Sequence, residues 1–132
     1  MLYMLDTNIC IYIIKKHPVH VITRLKKHPV SDICISSITL AELAYGVQKS
    51  ERIAQNTLAL AEFLAPIDIK PFSDLAALEF GKIRAYCEKK GTLIGEYDLL
   101  IAAHARSMGA TLVTNNIREF KRVPELLAEN WV

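Results

Sequence analysis

The sequence lacks the features of secreted, membrane-spanning and disulfide-rich proteins. Its 132 residues include only three cysteines, Cys10, Cys34 and Cys87, which stand in apolar surroundings without a CxxC pair. We therefore expect buried free thiols rather than disulfides or a zinc site. There is no run of 18 or more apolar residues, and no basic segment with a cleavage site at the beginning. These absences predict a soluble protein of a reducing compartment, the cytoplasm, with no membrane partner.

An excess of charge of either sign is also missing. The chain has 16 basic and 14 acidic residues, a formal net charge of +2. Any contact with nucleic acid must therefore come from local clusters rather than from bulk charge. Basic residues that could contact RNA phosphates are Lys15, Lys16, Arg24, Lys26, Lys27, Arg118, Lys121 and Arg122. No Walker loop, GxGxxG or GxSxG motif is present to indicate nucleotide binding or serine-hydrolase chemistry.

What the chain does contain is an alternation of short apolar strands and helices. Apolar residues make up 52% of the chain, which predicts one domain over residues 1–132 with a real core. The predicted strands cover residues 1–5, 33–36, 67–69 and 111–114, with an edge strand at 129–132. The predicted helices cover residues 7–16, 19–27, 38–49, 51–64, 74–90 and 97–108. This order predicts an α/β fold with a mainly parallel sheet, whose ligands bind at the carboxyl ends of the strands.

Four acidic residues stand where this arrangement predicts the carboxyl-end rim. Asp6 follows the first strand, Glu42 lies in the helix after the second, Asp98 opens a later helix and Glu119 follows the fourth strand. Each also has a purely structural alternative. Asp6 could only cap a helix, and Glu42 could complete a capping box with Thr39. Asp98 could only favour a helix dipole, and Glu119 could lie in a solvated turn.

Acids gathered on one rim repel one another unless a cation neutralises them. Carboxylate oxygens without thiolate or histidine partners favour Mg²⁺ or Mn²⁺, and such sites act on phosphodiesters. The alternatives are a metal-dependent DNA nuclease or phosphatase, and a non-catalytic RNA- or protein-binding module. Aspartyl-phosphate phosphatases carry a second aspartate two residues after the first, where this chain has Asn8. The histidines are weak catalytic candidates: His17, His20 and His28 lie near lysines, and His104 is expected to pack.

Four segments resemble the motifs of PIN-domain ribonucleases, and most of all those of VapC-type toxins. They are "LDTNI", "SSITLAELAYG", "GEYDLLIAAHA" and "LVTNNIREF", and they occur in the family's order over essentially the whole chain. The resemblance implies a PIN-like α/β/α sandwich and a Mg²⁺-dependent endoribonuclease that cleaves structured RNA, usually tRNA and in enteric relatives initiator tRNA. It also implies a homodimer and inhibition by a cognate VapB-type antitoxin.

The resemblance also implies roles for individual residues. The catalytic and metal-binding residues would be Asp6, Glu42, Asp98 and Glu119. The supporting residues would be Thr7, Asn8, Thr114 and Asn116. Many PIN domains place an acid where this chain has Asn116, so the fourth ligand lies between Asn116 and Glu119, and we favour Glu119. The helix at 53–64 carries more apolar residues than one buried face needs, which also predicts dimerisation.

Overall fold

The computed structural model describes residues 1–132, with helices packed on both faces of one sheet. The strands are β1 (Tyr3–Leu5), β2 (Ile33–Ser36), β3 (Asp68–Lys70), β4 (Thr111–Val113) and β5 (Leu127–Glu129). The helices are α1 (Thr7–Lys15), α2 (Val19–Leu25), α3 (Ser37–Gln48), α4 (Ile53–Leu64), α5 (Asp74–Lys90), α6 (Glu96–Ser107) and α7 (Ile117–Phe120), with a 3₁₀ turn at Val30–Asp32. No helix is long and apolar enough to cross a membrane.

All neighbouring strands are parallel, in the order β3-β2-β1-β4-β5. The central strand β1 pairs Met4 with Cys34 on one side and with Leu112 on the other. All three residues of β1 are buried, because helices cover both faces of a parallel sheet. The predicted α/β fold with a mainly parallel sheet is thereby confirmed.

The core has two halves, one on each face of the sheet. Successive side chains of a strand point to opposite faces, so Met4 belongs to one half and Leu5 to the other. The half around Met4 is formed largely with α5 and α6, and the half around Leu5 with α1 and α3. The three cysteines are buried and unbridged, as the sequence predicts.

Local signals at the helix ends explain where the long helices stop. The Ser73 hydroxyl accepts a hydrogen bond from the Ala76 N–H at 3.3 Å at the start of α5. Gly91 ends the helix with a φ of +66°, a conformation that glycine adopts without a steric penalty. Both ends of α5 agree with the sequence prediction, whereas α4 begins two residues later and α2 ends two residues earlier than predicted.

Two predictions are wrong, one on the last strand and one on His28, which packs against the end of the chain. The last strand is Leu127–Glu129 rather than 129–132, because Trp131 turns inward and is fully buried. Its ring stacks on His28 at a centroid distance of 5.0 Å, and the Tyr3 ring lies 4.4 Å from His28. His28 is therefore partly buried in an aromatic cluster rather than solvated among lysines.

Candidate functional site

The carboxyl end of β1 places Asp6 at the centre of the rim. The side chain is only 4% exposed, and its Oδ1 accepts a hydrogen bond from the Ile9 N–H at 2.9 Å, which caps α1. Asp6 therefore does cap a helix, and this role accounts for one of its contacts. Burial raises the pKa of Asp6, the Thr114 hydroxyl and the Ile9 N–H oppose this rise, and the nearby charge of Glu42 adds to it. Capping alone does not account for a second carboxylate beside it.

Glu42 reaches the same rim from α3. The cap of α3 is Ser36, whose hydroxyl accepts from the Ile38 N–H at 3.0 Å, so the capping-box alternative for Glu42 is wrong. Instead, the Thr7 hydroxyl donates a hydrogen bond of 2.6 Å to Glu42 Oε1. This bond joins the first turn of α1 to α3 and fixes the direction of the Glu42 carboxylate.

Asp98 lies in the first turn of α6 and is partly buried. Burial, and after it the charges of Asp6, Glu42 and Glu119, together raise the pKa of Asp98 to about 6. Three carboxylates from other elements are thus close enough to disfavour its ionised form. The structure brings together all four acids that the sequence placed on this rim.

The segment after β4 supplies the fourth acid. The Thr114 hydroxyl, fully buried, accepts a hydrogen bond from the Asn116 N–H at 2.9 Å. The Asn116 side-chain amide in turn donates to Glu119 Oε2 at 3.1 Å. The short helix α7 begins one residue later and turns Glu119 back toward the rim. Asn116 therefore acts in the structure as a hydrogen-bond partner of Glu119.

No basic side chain neutralises these acids. The ion pairs of the molecule use other carboxylates, namely Glu129, Asp68, Glu88, Glu96 and Glu79. The partners of the rim acids are only N–H groups, two hydroxyls and an amide. Buried or partly buried carboxylates without a cationic partner are costly, and this cost rises when several lie together.

The donor set fits a hard divalent cation in chemistry and in charge. Carboxylate oxygens are the ligands that Mg²⁺ prefers, and neither a cysteine nor a histidine is part of the cluster. In the arrangement described, no three His, Cys, Asp or Glu side chains lie close enough together to hold one ion. The site is therefore a negatively charged rim rather than a closed cage.

A cleft of about 410 Å³ opens beside the rim. It is lined by Thr7, Asn8 and Glu42, and also by Tyr45, Lys49 and Tyr97. The first three are among the predicted site residues, and the last three are not. Helical spacing offered a signal for Tyr45, which follows Glu42 by three residues, but not for Tyr97, because adjacent residues of a helix point in different directions.

An apolar groove of about 260 Å³ lies between α1, α3 and α4. Its apolar lining includes Ile11, Ile14, Leu43, Val47 and Leu60. Glu42 and Gly46 line both this groove and the cleft, so the two are neighbours at the same rim.

His104 is buried and packs, as predicted. Its Nδ1 lies 2.8 Å from the Ser36 hydroxyl, and its ring meets Phe72 edge-on at 5.5 Å. Burial lowers the pKa of His104, so the ring is neutral near pH 7. This contact links α6, which carries Asp98, to the start of α3, which carries Glu42.

Comparisons with known proteins identify the family of this chain. The PIN domain family model matches residues 3–126. Ribonuclease VapC2 of Rickettsia felis is 52% identical over 132 residues, covering 99% of this chain and 98% of the relative. The tRNA(fMet)-specific endonuclease VapC of Salmonella typhimurium is 44% identical over 129 residues, covering 98% and 97%.

A solved structure shares the whole fold. The crystal structure of VapBC2 from Rickettsia felis, bound to a DNA fragment from the promoter, matches with a TM-score of 0.94 at 50% identity and covers 100% of both chains. The match to the family model and the identity to these relatives extend over nearly the entire sequence. The chain belongs to the PIN-domain family and, within it, to the VapC proteins.

Proposed function

We propose that this protein is a Mg²⁺-dependent endoribonuclease toxin that cleaves structured RNA and is inhibited by a VapB-type antitoxin. Mn²⁺ is the expected substitute for Mg²⁺. The observation that carries the proposal is the rim of Asp6, Glu42, Asp98 and Glu119. These side chains come from four separate segments and have no basic partner, and burial together with the charges of the other three raises the pKa of Asp98.

In this proposal the rim acids hold the metal and the neighbouring polar groups hold the acids. Thr7 orients the Glu42 carboxylate through its hydroxyl, and Asn116 orients Glu119 through its amide. Thr114 fixes the backbone of Asn116 and lies beside Asp6. Asn8 is exposed in the cleft, where it can contact substrate. When bound, the cation supplies an activated water and neutralises the charge that develops on the phosphate.

The substrate class rests on the relatives and on the charges around the site. A relative that is 44% identical is named a tRNA(fMet)-specific endonuclease, so we propose tRNA, including initiator tRNA, as the substrate. Six of the eight basic candidates are exposed and free for phosphate contacts: Lys15, Lys16, Lys26, Lys27, Arg118 and Lys121. The other two have contacts within the fold, since Arg24 pairs with Glu129 and Arg122 donates to the Leu93 carbonyl.

Inhibition by an antitoxin rests on the apolar groove. A segment that fills the groove between α1, α3 and α4 reaches Glu42, because Glu42 lines the groove as well as the cleft. A cationic side chain at the end of such a segment would neutralise the rim in place of the metal. Solved relatives are VapBC complexes, which supports a VapB-type partner for this chain.

RNA cleavage with a controlled metal supply tests the proposal. Purified protein should cleave a tRNA transcript in Mg²⁺ or Mn²⁺ and stop in excess EDTA. Asp6→Ala should abolish cleavage, with circular dichroism to verify that the chain stays folded. Cleavage that persists in excess EDTA contradicts metal dependence, and RNA binding without any cleavage by the parent protein supports a binding module instead.

Growth measurements test the toxin role. Expression of the parent protein should arrest growth, whereas Glu42→Ala and Asp98→Ala at equal levels should be tolerated. Growth arrest by both variants would point to a mechanism that does not use the rim.

Dimerisation remains a prediction. Ile53 and Leu58 of α4 are 43% and 67% exposed, which keeps an apolar surface available. Sedimentation should give a mass of twice 14.8 kDa at micromolar concentration, and a monomer alone would contradict it.

A further inference from the structure

Two exposed tyrosines line the cleft beside the rim. Tyr45 is 66% exposed and Tyr97 is 59% exposed, whereas Tyr3 in the core is 8% exposed. Each is close in sequence to a rim acid: Tyr45 lies one helical turn after Glu42 on α3, and Tyr97 directly precedes Asp98 on α6. Both line the same cleft as Thr7 and Glu42, although they come from helices far apart in sequence.

A positive charge accompanies one of the two rings. Lys49 Nζ lies 5.1 Å from the centroid of the Tyr45 ring and lines the same cleft. The cleft thus combines two aromatic rings, one ammonium group and the carboxylate of one rim acid, Glu42. Aromatic side chains beside a basic group are typical of surfaces that bind unpaired nucleotides.

The position of the rim relates these groups to a substrate. If the scissile phosphate lies at Asp6, Glu42 and Asp98, the bases on either side of it lie within one nucleotide of the rim. Unpaired bases stack readily on aromatic rings, and every base has a face that can do so. Bases in a duplex are already stacked and paired, so they cannot reach the rings without being unpaired.

We propose that Tyr45 and Tyr97 are stacking positions for unpaired bases next to the scissile phosphate, with Lys49 contacting a neighbouring phosphate. The inference rests on the proposed ribonuclease function and adds a requirement to it: the cleaved segment must be single-stranded at the cut. A peptide partner would also cover exposed tyrosines. Lys49 in the cleft, and Glu42 that joins the cleft to the rim, favour a substrate that carries phosphates and reaches the rim through a cation.

Replacing each ring by an aliphatic side chain tests the proposal. Tyr45→Leu and Tyr97→Leu keep an apolar side chain but remove the π face. Using an initiator tRNA transcript in saturating Mg²⁺, we expect each variant to raise KM by about fivefold or more, with a smaller change in kcat. Tyr45→Phe and Tyr97→Phe keep the ring and should restore KM toward that of the parent protein.

A second substrate measures the requirement for unpaired bases. The parent protein should cleave a single-stranded oligonucleotide in preference to the same sequence annealed to its complement. Both leucine variants should lose part of this preference. The matched control is Tyr86→Leu, because Tyr86 is 44% exposed, carries Lys90 Nζ at 5.8 Å from its ring, and does not line the cleft. Its KM and strand preference should equal those of the parent protein.

The outcomes separate this inference from the proposed function. A parent protein that cleaves no RNA in Mg²⁺ overturns the proposed function and the inference with it. A parent protein that cleaves, together with leucine variants of unchanged KM and strand preference, overturns the inference alone. An equal rise in KM for Tyr86→Leu also overturns it, because the effect would then be general to surface tyrosines.

Discussion

Glu129 and the rim acids are carboxylates at the same edge of the sheet, but their surroundings are opposite. Glu129 ends β5 in register with Val113, which is itself in register with Leu5, the residue before Asp6. Glu129 Oε1 lies 3.2 Å from Arg24 Nη2 and accepts a hydrogen bond of 2.9 Å from the Trp131 indole. Asp6 and the other rim acids have no cationic partner, and burial together with the charges of Asp6, Glu42 and Glu119 raises the pKa of Asp98 to about 6.

The difference separates stability from function. Glu129 is neutralised by a side chain of the same molecule, and its contacts hold the end of the chain against the core. Burial, helped by neighbouring carboxylate charge, raises the pKa of Asp6 and of Asp98, so the ionised forms of these two side chains reduce the stability of the metal-free fold at neutral pH. Carboxylates that are kept together at such a cost are typical of functional sites. An external cation can lower this cost, whereas Glu129 needs none.

The largest effects are expected when one carboxylate is replaced by its amide, which removes the charge with little change in shape. The two positions to compare are Asp98 and Glu129. Asp98→Asn should lower the RNA cleavage rate by about 100-fold or more, as for loss of an electrostatic group at a reacting centre. It should also make the metal-free protein more stable at pH 7.5. Because the pKa of Asp98 is raised from 3.8 to about 6, the unfolded chain loses this proton at a lower pH than the folded chain, so stability falls as pH rises from about 3.8 to about 6 and stays lowered above that. Urea unfolding at pH 4.5 and 7.5 and cleavage assays measure both effects.

The matched variant is Glu129→Gln. It removes the charge that Arg24 neutralises, so it should destabilise the protein by up to about 1 kcal/mol, the range of partly exposed ion pairs, and leave cleavage intact. If Asp98→Asn also destabilised the metal-free protein at pH 7.5, as Glu129→Gln is expected to do, the distinction between the rim acids and Glu129 would be contradicted.

Sequence alone could predict the acids of the rim but not the partners of Glu129. The carboxyl ends of parallel strands meet at one edge, so acids after successive strands converge there whatever the details of packing. The aromatic cluster of Trp131 and His28 depends on where the chain end packs, which no local pattern records. The shared cleft of Tyr45 and Tyr97 could not be predicted for the same reason, because it depends on how α3 and α6 are placed around the rim.

The second expected effect is stabilisation by metal. If Mg²⁺ binds the rim, a concentration of 100 times its Kd should raise the free energy of unfolding by about 2.7 kcal/mol. The gain should shrink below about pH 6, because protons compete for Asp98. The Asp98→Asn variant should lose most of this Mg²⁺-dependent stabilisation, and the Glu129→Gln variant should keep it. Thermal unfolding at several Mg²⁺ concentrations measures this, and equal gains in the parent protein and Asp98→Asn would exclude Asp98 from the metal site.

A smaller effect concerns the buried contact that joins the helices of Glu42 and Asp98. His104→Leu should cost about 1 to 2 kcal/mol at pH 8, because the buried Ser36 hydroxyl loses its hydrogen bond to His104 and keeps only the one from the Ile38 N–H. Burial lowers the pKa of His104, so the unfolded chain binds more protons as pH falls below about 6.5, and stability falls with it. Stability measured from pH 8 to 5 should fall less in His104→Leu. An unchanged pH dependence would mean that other groups control it.

The smallest expected effect distinguishes Glu119 from Asn116 at the edge of the rim. Asn116 donates its amide N–H to Glu119 Oε2 at 3.1 Å, and the charge of Glu119 contributes to the raised pKa of Asp98. Glu119 therefore brings charge to the rim, while Asn116 brings a neutral contact. Glu119→Gln should raise the Mn²⁺ concentration for half-maximal cleavage by up to about fivefold, because a partly exposed charge pair is worth up to about 1 kcal/mol.

Asn116→Ala should raise that midpoint by less, since the Glu119 charge remains and only its orientation is loosened. Asn116→Asp places two carboxylates side by side and offers the cation a second charge, so it reports on direct ligation. A Mn²⁺ midpoint that tightens in Asn116→Asp while Glu119→Gln leaves both midpoint and rate unchanged would make Asn116 the ligand. Titration of Mn²⁺ against cleavage rate in the three variants decides between the two residues. The hydrogen bond from Asn116 to Glu119 favours Glu119, because an amide that donates to a carboxylate orients that carboxylate.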